Sequence, residues 1–295
     1  MQRKTERGRE RASAGSHLPI RDSPKEFSKD PDLSSCDWPV LHGRIPFARD
    51  QVYLEESVAN LQGSAREQYV QDMFTRIAPR YDLMNRLMTA GQDVRWRREV
   101  IWRARLAEGE FLLDLGAGTG DLAVEALRQH PGCRAIAADF TLEMMRIGQR
   151  RLEQVSSIAE RLSWSAGDAL NLAFPNQMFD AVVSGFLLRN LTNVNRSLAE
   201  QYRVLKPGGR IVALDTTHPP SNLLTPLIRI HLHTIIPALG AWLTGQPEAY
   251  EYLPETTENF LKAERLASKM VAVGFREVRF RRLMAGTIAI HWAMK

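Results

Sequence analysis

The run Leu113-Asp114-Leu115-Gly116-Ala117-Gly118-Thr119-Gly120-Asp121 constrains the fold of this chain more than any other segment of it. The apolar stretch Phe111–Leu115 reads as a strand covered on both faces. Leu122–Gln129, with Leu122, Ala126 and Gln129 at helical spacing, reads as a helix. Between them the glycines demand a tight turn whose backbone can approach a bound molecule, at the carboxyl end of a strand where open parallel sheets hold ligands. The same texture continues downstream. Ala135–Ala138, Ala181–Ser184 and Arg210–Leu214 are further short apolar runs, and Leu142–Val155 repeats Leu142, Met145 and Leu152 on one side. Strand and helix in turn imply a parallel sheet with crossover helices. The end of the chain differs: Glu264–Val273 reads as a helix stopped by Gly274, then Phe275–Leu283 and Thr287–Met294 read as strands joined around Ala285–Gly286. With a third strand expected ahead of Gly167, the expectation is an α/β fold: a mostly parallel seven-stranded sheet with an antiparallel C-terminal hairpin and helices on both faces.

The loop spacing narrows the ligand. A dinucleotide loop needs G-x-G-x-x-G, which would put its third glycine at position 121, where Asp121 stands. The spacing here is G-x-G-x-G, which argues for a ligand without a pyrophosphate. S-adenosylmethionine fits, because Asp114 or Asp121 can balance its sulfonium and ammonium. Asp139 closes the second strand at the distance from Gly120 where an acid accepts hydrogen bonds from ribose hydroxyls. Gly167-Asp168-Ala169 follows the expected third strand, where a side chain meets the adenine. The cofactor set expected from sequence is therefore Asp114, Gly116, Gly118, Thr119, Gly120, Asp139, Asp168 and Ala169.

Composition sets the outer limits. A net charge of +5 permits an anionic surface as partner without demanding one. Cys36 and Cys133 cannot build a disulfide framework and lack metal-ligand spacing, so a reducing compartment is expected, with Cys133 packed. His231 and His233, two apart, diverge on a helix, and no metal is expected. The first twenty residues are charged and lack an apolar core, which argues against a secretory signal, and Glu6 and Glu10 argue against a mitochondrial one. Residues 1–65 mix Arg, Asp, Ser and Pro without periodicity and read as a disordered leader. The basic residues come with no RNA-binding module, so nucleic acid is not an expected partner.

Beyond the loop, Tyr81-Asp82-Leu83-Met84-Asn85-Arg86-Leu87-Met88, then Gln92 and Trp96, resembles the N-terminal signature of the menaquinone/ubiquinone biosynthesis C-methyltransferases. Leu187-Leu188-Arg189-Asn190 resembles that family's G-L-R-N segment, and Arg203–Gly209 its second signature, whose Lys-Pro-Gly-Gly turn many methyltransferases share. Tyr250, Tyr252, Leu253 and Pro254 match its Y-x-Y-L-P stretch, and Ile288–His291 its terminal strand. The resemblance spans roughly residues 66–295. It departs at Thr89 and Asp93, where the family usually has Ser and His, at Gly116-Ala117, at Asp215–His218 and at Ala285–Thr287. These departures bear on substrate more than on reaction type.

The resemblance implies a Rossmann-like class I methyltransferase that uses S-adenosylmethionine to methylate a ring carbon of a prenylated quinol, demethylmenaquinol or the equivalent ubiquinone precursor. A quinol carbon becomes nucleophilic when a neighbouring hydroxyl loses its proton. Arg189 is expected to stabilise that oxyanion, since its pKa makes it a poor literal base, with Asn190 orienting the ring and Tyr81 capping the cofactor pocket. Residues 216–252, oily over Leu223–Leu243 yet carrying Arg229, His231, His233 and prolines, read as a substrate lid rather than a membrane span. Arg95, Arg97, Arg98, Arg103 and Arg105, interleaved with Trp96 and Trp102, form either a solvated basic helix or a face for anionic headgroups. A cytoplasmic protein is expected, with transient contact to the inner face of the membrane. A homodimer stays open. So do two other functions: a paralogue acting on another aromatic or prenylated molecule, and a cofactor-binding but silent partner in quinone synthesis.

Overall fold

The computed structural model describes residues 63–153, 155–219 and 259–295, with single positions at 234, 235, 238, 256 and 257. The expected leader, 1–65, and lid, 216–252, lie outside these except for the single positions 234, 235 and 238 and at their edges, where the first helix begins at Gly63 and the described chain runs on past Thr216 to position 219. Tyr250, Tyr252, His231 and His233 also lie outside the described residues.

Three helices come first: α1 (Gly63–Ile77), α2 (Tyr81–Met88) and α3 (Asp93–Ala104). Then strands and helices alternate: β1 (Phe111–Leu115), α4 (Asp121–Gln129), β2 (Arg134–Asp139), α5 (Leu142–Leu152), α6 (Ser156–Ala159), β3 (Leu162–Ala166), β4 (Phe179–Gly185), α7 (Val194–Val204) and β5 (Leu205–Thr216). After the undescribed stretch come α8 (Ala263–Val273), β6 (Arg276–Leu283) and β7 (Ile288–Met294). The seven strands form one sheet in the order β3-β2-β1-β4-β5-β7-β6, with β7 antiparallel to both neighbours and the rest parallel. The expected fold class is the observed one. The helix expected over Leu142–Val155 stops at Leu152 and is followed by the short α6.

The strands read as continuous apolar runs because both faces are covered, yet a period of 2 still sorts them. Leu112, Ala135, Ala137, Ala181, Val183, Val212 and Leu214 pack with α3 and α4 around Trp96, Val100, Leu122 and Leu127. Leu113, Leu115, Ile136, Ala138, Val182, Ile211 and Ala213 pack on the other face with α7 and α8 around Leu198, Leu266 and Met270. The edges are blunted. β6 carries Arg276, Arg279, Arg281 and Arg282, and such charge discourages pairing with a second sheet. Asn193 caps α7 by accepting the Arg196 amide at 3.0 Å, and Gly274, at φ 117°, ends α8. Cys133 is buried, its thiol donating to the Ala107 carbonyl.

The basic face of α3 is smaller than expected. Arg97 is paired with Asp93 and Asp121, Arg103 with Glu99 while stacking on Trp292 at 3.4 Å, and Trp96 is buried. Arg95, Arg98, Trp102 and Arg105 stay exposed, at helical spacing along one side.

Candidate active site

At the carboxyl ends of β1, β2 and β4 opens a cleft of about 940 Å³. Its floor is the glycine loop. The Gly116 and Ala117 amides both donate to the Ala138 carbonyl, at 2.8 and 3.1 Å, bending the chain sharply off β1. Gly116 (φ 67°) also lies against Leu187, where an added Cβ would come within 2.7 Å of Cδ1. A side chain there would fill the cleft wall and strain the backbone.

Asp139 stands at the end of β2 beside this loop. One carboxylate oxygen accepts the Gly118 amide at 2.7 Å and the other accepts the Thr141 amide at 2.7 Å. Burial nevertheless raises its pKa. Asp168, with Ala169 and Leu170, lines the far side, its carboxylate turned back on the Leu170 amide at 2.8 Å. Phe140, nearly half exposed, and Met144 supply apolar surface between them. The charged lining consists of Glu67, Asp139 and Asp168, with no Lys or Arg among the described residues. Such a cleft repels a pyrophosphate and suits a cation with an apolar ring.

Of the roof, only Tyr81 was expected from sequence. Glu67, Val70, Gln71 and Phe74 of α1 line the cleft with Tyr81, which packs edge-on against Phe74 at 5.8 Å. Val70, Met73, Phe74 and Ile77 have the spacing of an amphipathic helix, so this element was within reach of a periodicity argument. Gln71 ties the roof to the floor by donating to the Phe140 carbonyl. Burial raises the pKa of the Tyr81 hydroxyl, which is hydrogen-bonded to Asn85 and lies within the field of Arg189.

Of the expected site residues, Tyr81, Gly116, Gly118, Asp139, Asp168, Ala169 and Asn190 line the cleft. Asp114, Thr119, Gly120 and Arg189 do not. The two-residue period of β1 turns Asp114 toward α4, where one oxygen accepts the Ala123 amide at 2.9 Å. Its other oxygen is buried and has no hydrogen-bond partner among the described residues. Burial, with Asp139 and Asp121 nearby, raises its pKa to about 7. Gly120 (φ 80°) starts α4 and packs against Trp164.

Thr119 and Asp121 belong to a polar clamp. Thr119 donates to Asp82 of α2 at 3.0 Å. Arg151 of α5 donates to Asp82 at 2.8 Å, to the Thr119 carbonyl at 2.9 Å and to Asp121 at 2.6 Å. Arg97 continues from Asp121 to Asp93, a buried acid that also meets Arg86 and Thr89. The two departures at positions 89 and 93 thus sit in one network joining α2 and α3 to the glycine loop.

Past β4 the chain turns through Phe186, a bulky residue held at φ 59°. That costs roughly 1–3 kcal/mol and marks a position fixed by its surroundings. Its amide donates to Leu214 and its carbonyl accepts the Asn190 amide group. Arg189 stacks over the Phe186 ring at 5.0 Å. It is 9 % exposed, and its Nε lies 4.0 Å from Asp215 with no hydrogen-bond partner among the described residues. His218 is held by the Phe260 carbonyl at 2.7 Å. Among the described residues no group of three or more His, Cys, Asp or Glu stands where it could hold a metal.

A seven-stranded sheet of this order, with a glycine loop and a strand-end acid around an acidic cleft, defines a class I S-adenosylmethionine-dependent methyltransferase. The chain belongs to the ubiE/COQ5 methyltransferase family, whose model matches residues 62–295. It is 42% identical over 226 residues to the ubiquinone/menaquinone biosynthesis C-methyltransferase UbiE of Desulfotalea psychrophila, covering 77% of this chain and 90% of that one. It is 41% identical over 219 residues to the demethylmenaquinone methyltransferase of Thermus thermophilus, covering 74% and 98%. Among solved structures it resembles the [4+2]-cyclase SpnF (TM-score 0.58, 18% identity, 77% of this chain and 95% of that one). It also resembles phosphoethanolamine N-methyltransferase 2 of Haemonchus contortus in complex with S-adenosyl-L-methionine (TM-score 0.51, 15% identity, 68% and 52%). The likeness to a cyclase shows how little the fold alone says about chemistry.

Proposed function

We propose that this enzyme methylates a ring carbon of a prenylated quinol, demethylmenaquinol or the corresponding ubiquinone precursor. The observation that carries the reading is Arg189. A guanidinium buried beside the cofactor cleft, its Nε 4.0 Å from Asp215 and without a hydrogen bond, can turn its charge to an incoming oxyanion. The bound cofactor supplies the electrophilic methyl group. The protein has then to hold the ring, favour the phenolate and exclude water. Arg189 favours the phenolate electrostatically, Asn190, tethered to the Phe186 carbonyl, presents its amide to the ring, and Tyr81 closes the roof. In our reading Gly116, Gly118 and Asp139 hold the cofactor, with Phe140, Asp168 and Ala169 around its base, and Asp114 acts from beneath the loop. The prenyl tail is assigned to residues 216–252.

No helix among the described residues is long and apolar enough to cross a membrane. We assign the contact with a lipid substrate's membrane to Arg95, Arg98 and Trp102 of α3 with Arg105 just beyond it. Purified full-length protein, demethylmenaquinol and S-adenosylmethionine should yield menaquinol by chromatography. Arg189→Ala should reduce kcat by about 10²–10³-fold with cofactor affinity unchanged. Wild-type protein that leaves the quinol unmethylated would sink the substrate assignment. An Arg189→Ala enzyme with normal turnover would sink the role of the arginine.

A further inference from the structure

A second cavity, partly open to solvent, adjoins the first and shares Leu191 and Thr192 with it. The two are opposite in charge. The first is lined by Glu67, Asp139 and Asp168 without a base; the second is lined by Arg66, Arg189 and Lys269 without an acid among the described residues. Like charges converging on one hollow repel one another unless something between them is negative. Of the nearby acids, Asp215 lies 4.0 Å from the Arg189 Nε and accepts the Arg189 and Thr216 amides, and Glu67 accepts the Thr192 hydroxyl; neither lines this hollow.

Three further features point into this hollow. The first turn of α7, an eleven-residue helix, lines it through Asn193, Val194 and Asn195, so the positive end of the helix dipole faces the space. The Nε atoms of both Arg66 and Arg189 are buried without a hydrogen-bond partner among the described residues, and Arg189 as a whole is nine-tenths buried. Lys269 is held in place by donating to Asn195 at 2.8 Å, and Arg66 by reaching the Arg189 carbonyl at 3.4 Å. Three cationic side chains and a helix N-terminus around one hollow make a setting that suits a multidentate anion.

We infer that this second cavity is a binding site for a small oxyanion, a phosphate or a carboxylate, held by Arg66, Arg189, Lys269 and the N-terminus of α7. The inference goes beyond the methyl-transfer reading and does not depend on which quinol is used. Arg189 contributes to both places, since it lines this cavity and stacks on Phe186 of the other. An anion seated here therefore meets the same guanidinium that is assigned to the phenolate.

The test is isothermal titration of the full chain at low salt with inorganic phosphate and, separately, with benzoate. S-adenosylmethionine is titrated into each protein as the check on folding. One saturable site per chain is expected for at least one anion, weakening as sodium chloride is added. Phosphate alone identifies a phosphate site, benzoate alone a carboxylate site, and both a general oxyanion site. Lys269→Gln and Arg66→Gln should each weaken binding about tenfold, the size of one charge-assisted hydrogen bond, while Lys269→Arg keeps it. Cofactor affinity should not change in these variants. Absence of saturable binding by either anion overturns the proposal. So does binding that is undiminished in both glutamine variants. Neither result touches the quinol assignment, because no turnover is measured.

Discussion

Asp114→Asn should move the stability of the cofactor-free protein in the variant's favour as the pH rises. In the fold the carboxyl titrates at about 7 because burial under α4 disfavours its charge, against about 3.9 for an unperturbed Asp. Below the lower value both states hold the proton and the group contributes nothing. Between the two the unfolded chain ionises while the folded one does not, so stability falls as pH rises, levelling off above the higher value. At 1.36 kcal/mol per unit the loss is roughly 1.5 kcal/mol at pH 5 and about 4 kcal/mol at pH 8. Asparagine carries no such cost, though its NH2 would inherit the unpartnered position of the second oxygen, a penalty of about 1–3 kcal/mol. That penalty is independent of pH and cancels when two pH values are compared. Urea denaturation of wild type and variant at pH 5 and pH 8 should thus show the stability difference shifting toward the variant by roughly 2.5 kcal/mol. A pH-independent difference would refute the argument, since it would mean that Asp114 is ionised across the range at no cost.

Arg151→Met opens the clamp between α2, α5 and the glycine loop; the half-exposed setting limits the effect to roughly fivefold in the KM for S-adenosylmethionine with kcat little changed, and Arg151→Lys should recover part of it in steady-state assays. Gly148→Ala would bring a Cβ to 2.5 Å from the Thr119 carbonyl and 2.4 Å from the Trp164 ring, so it should cost about 1–3 kcal/mol in thermal denaturation despite alanine's better helix propensity, and weaken cofactor binding with it. His291, buried with one nitrogen on the Ala263 carbonyl, has its pKa lowered to about 4 by desolvation. Its folded value lies below the unfolded one, so its contribution is intact above pH 6.5 and lost as pH falls toward 4. His291→Gln should remove roughly 2.5 kcal/mol of that acid sensitivity between pH 7 and pH 4.5, seen as a flatter profile of Tm against pH.

The centre of the sheet was legible because β1, β2 and β4 repeat one physical demand, apolar on both faces, and their turns carry their own punctuation. β1 falls on Phe111–Leu115 in both readings, and β2 and β4 differ by a residue or two at their ends. The glycine loop, Asp139 and Asp168 were legible for the same local reason. What was not legible depends on which way a side chain turns. Asp114 is one residue out of phase with the floor of the cleft, and Arg97 and Arg103 look like free surface charge until Asp93, Asp121 and Glu99 are folded against them. Phe186 gives no warning in sequence, since aromatic residues rarely adopt a positive φ. The second cavity draws on residues from α1, α7 and α8 that span more than two-thirds of the sequence, and no spacing rule covers that distance.

The placement of β7 has a bearing on how the protein is made. This strand is synthesised after β6 yet lies between β5 and β6, pairing Ile288–Thr216 on one side and Ile288–Leu283 on the other. As the chain leaves the ribosome the parallel strands can assemble in order, but β5 keeps an open apolar edge and β6 has no neighbour until β7 emerges. Ribosome stalling, or a nonsense codon anywhere in the last few dozen codons, would therefore release a chain with an almost complete cofactor site and an unpaired strand. Such a product is a substrate for chaperones and proteases rather than a partly active enzyme.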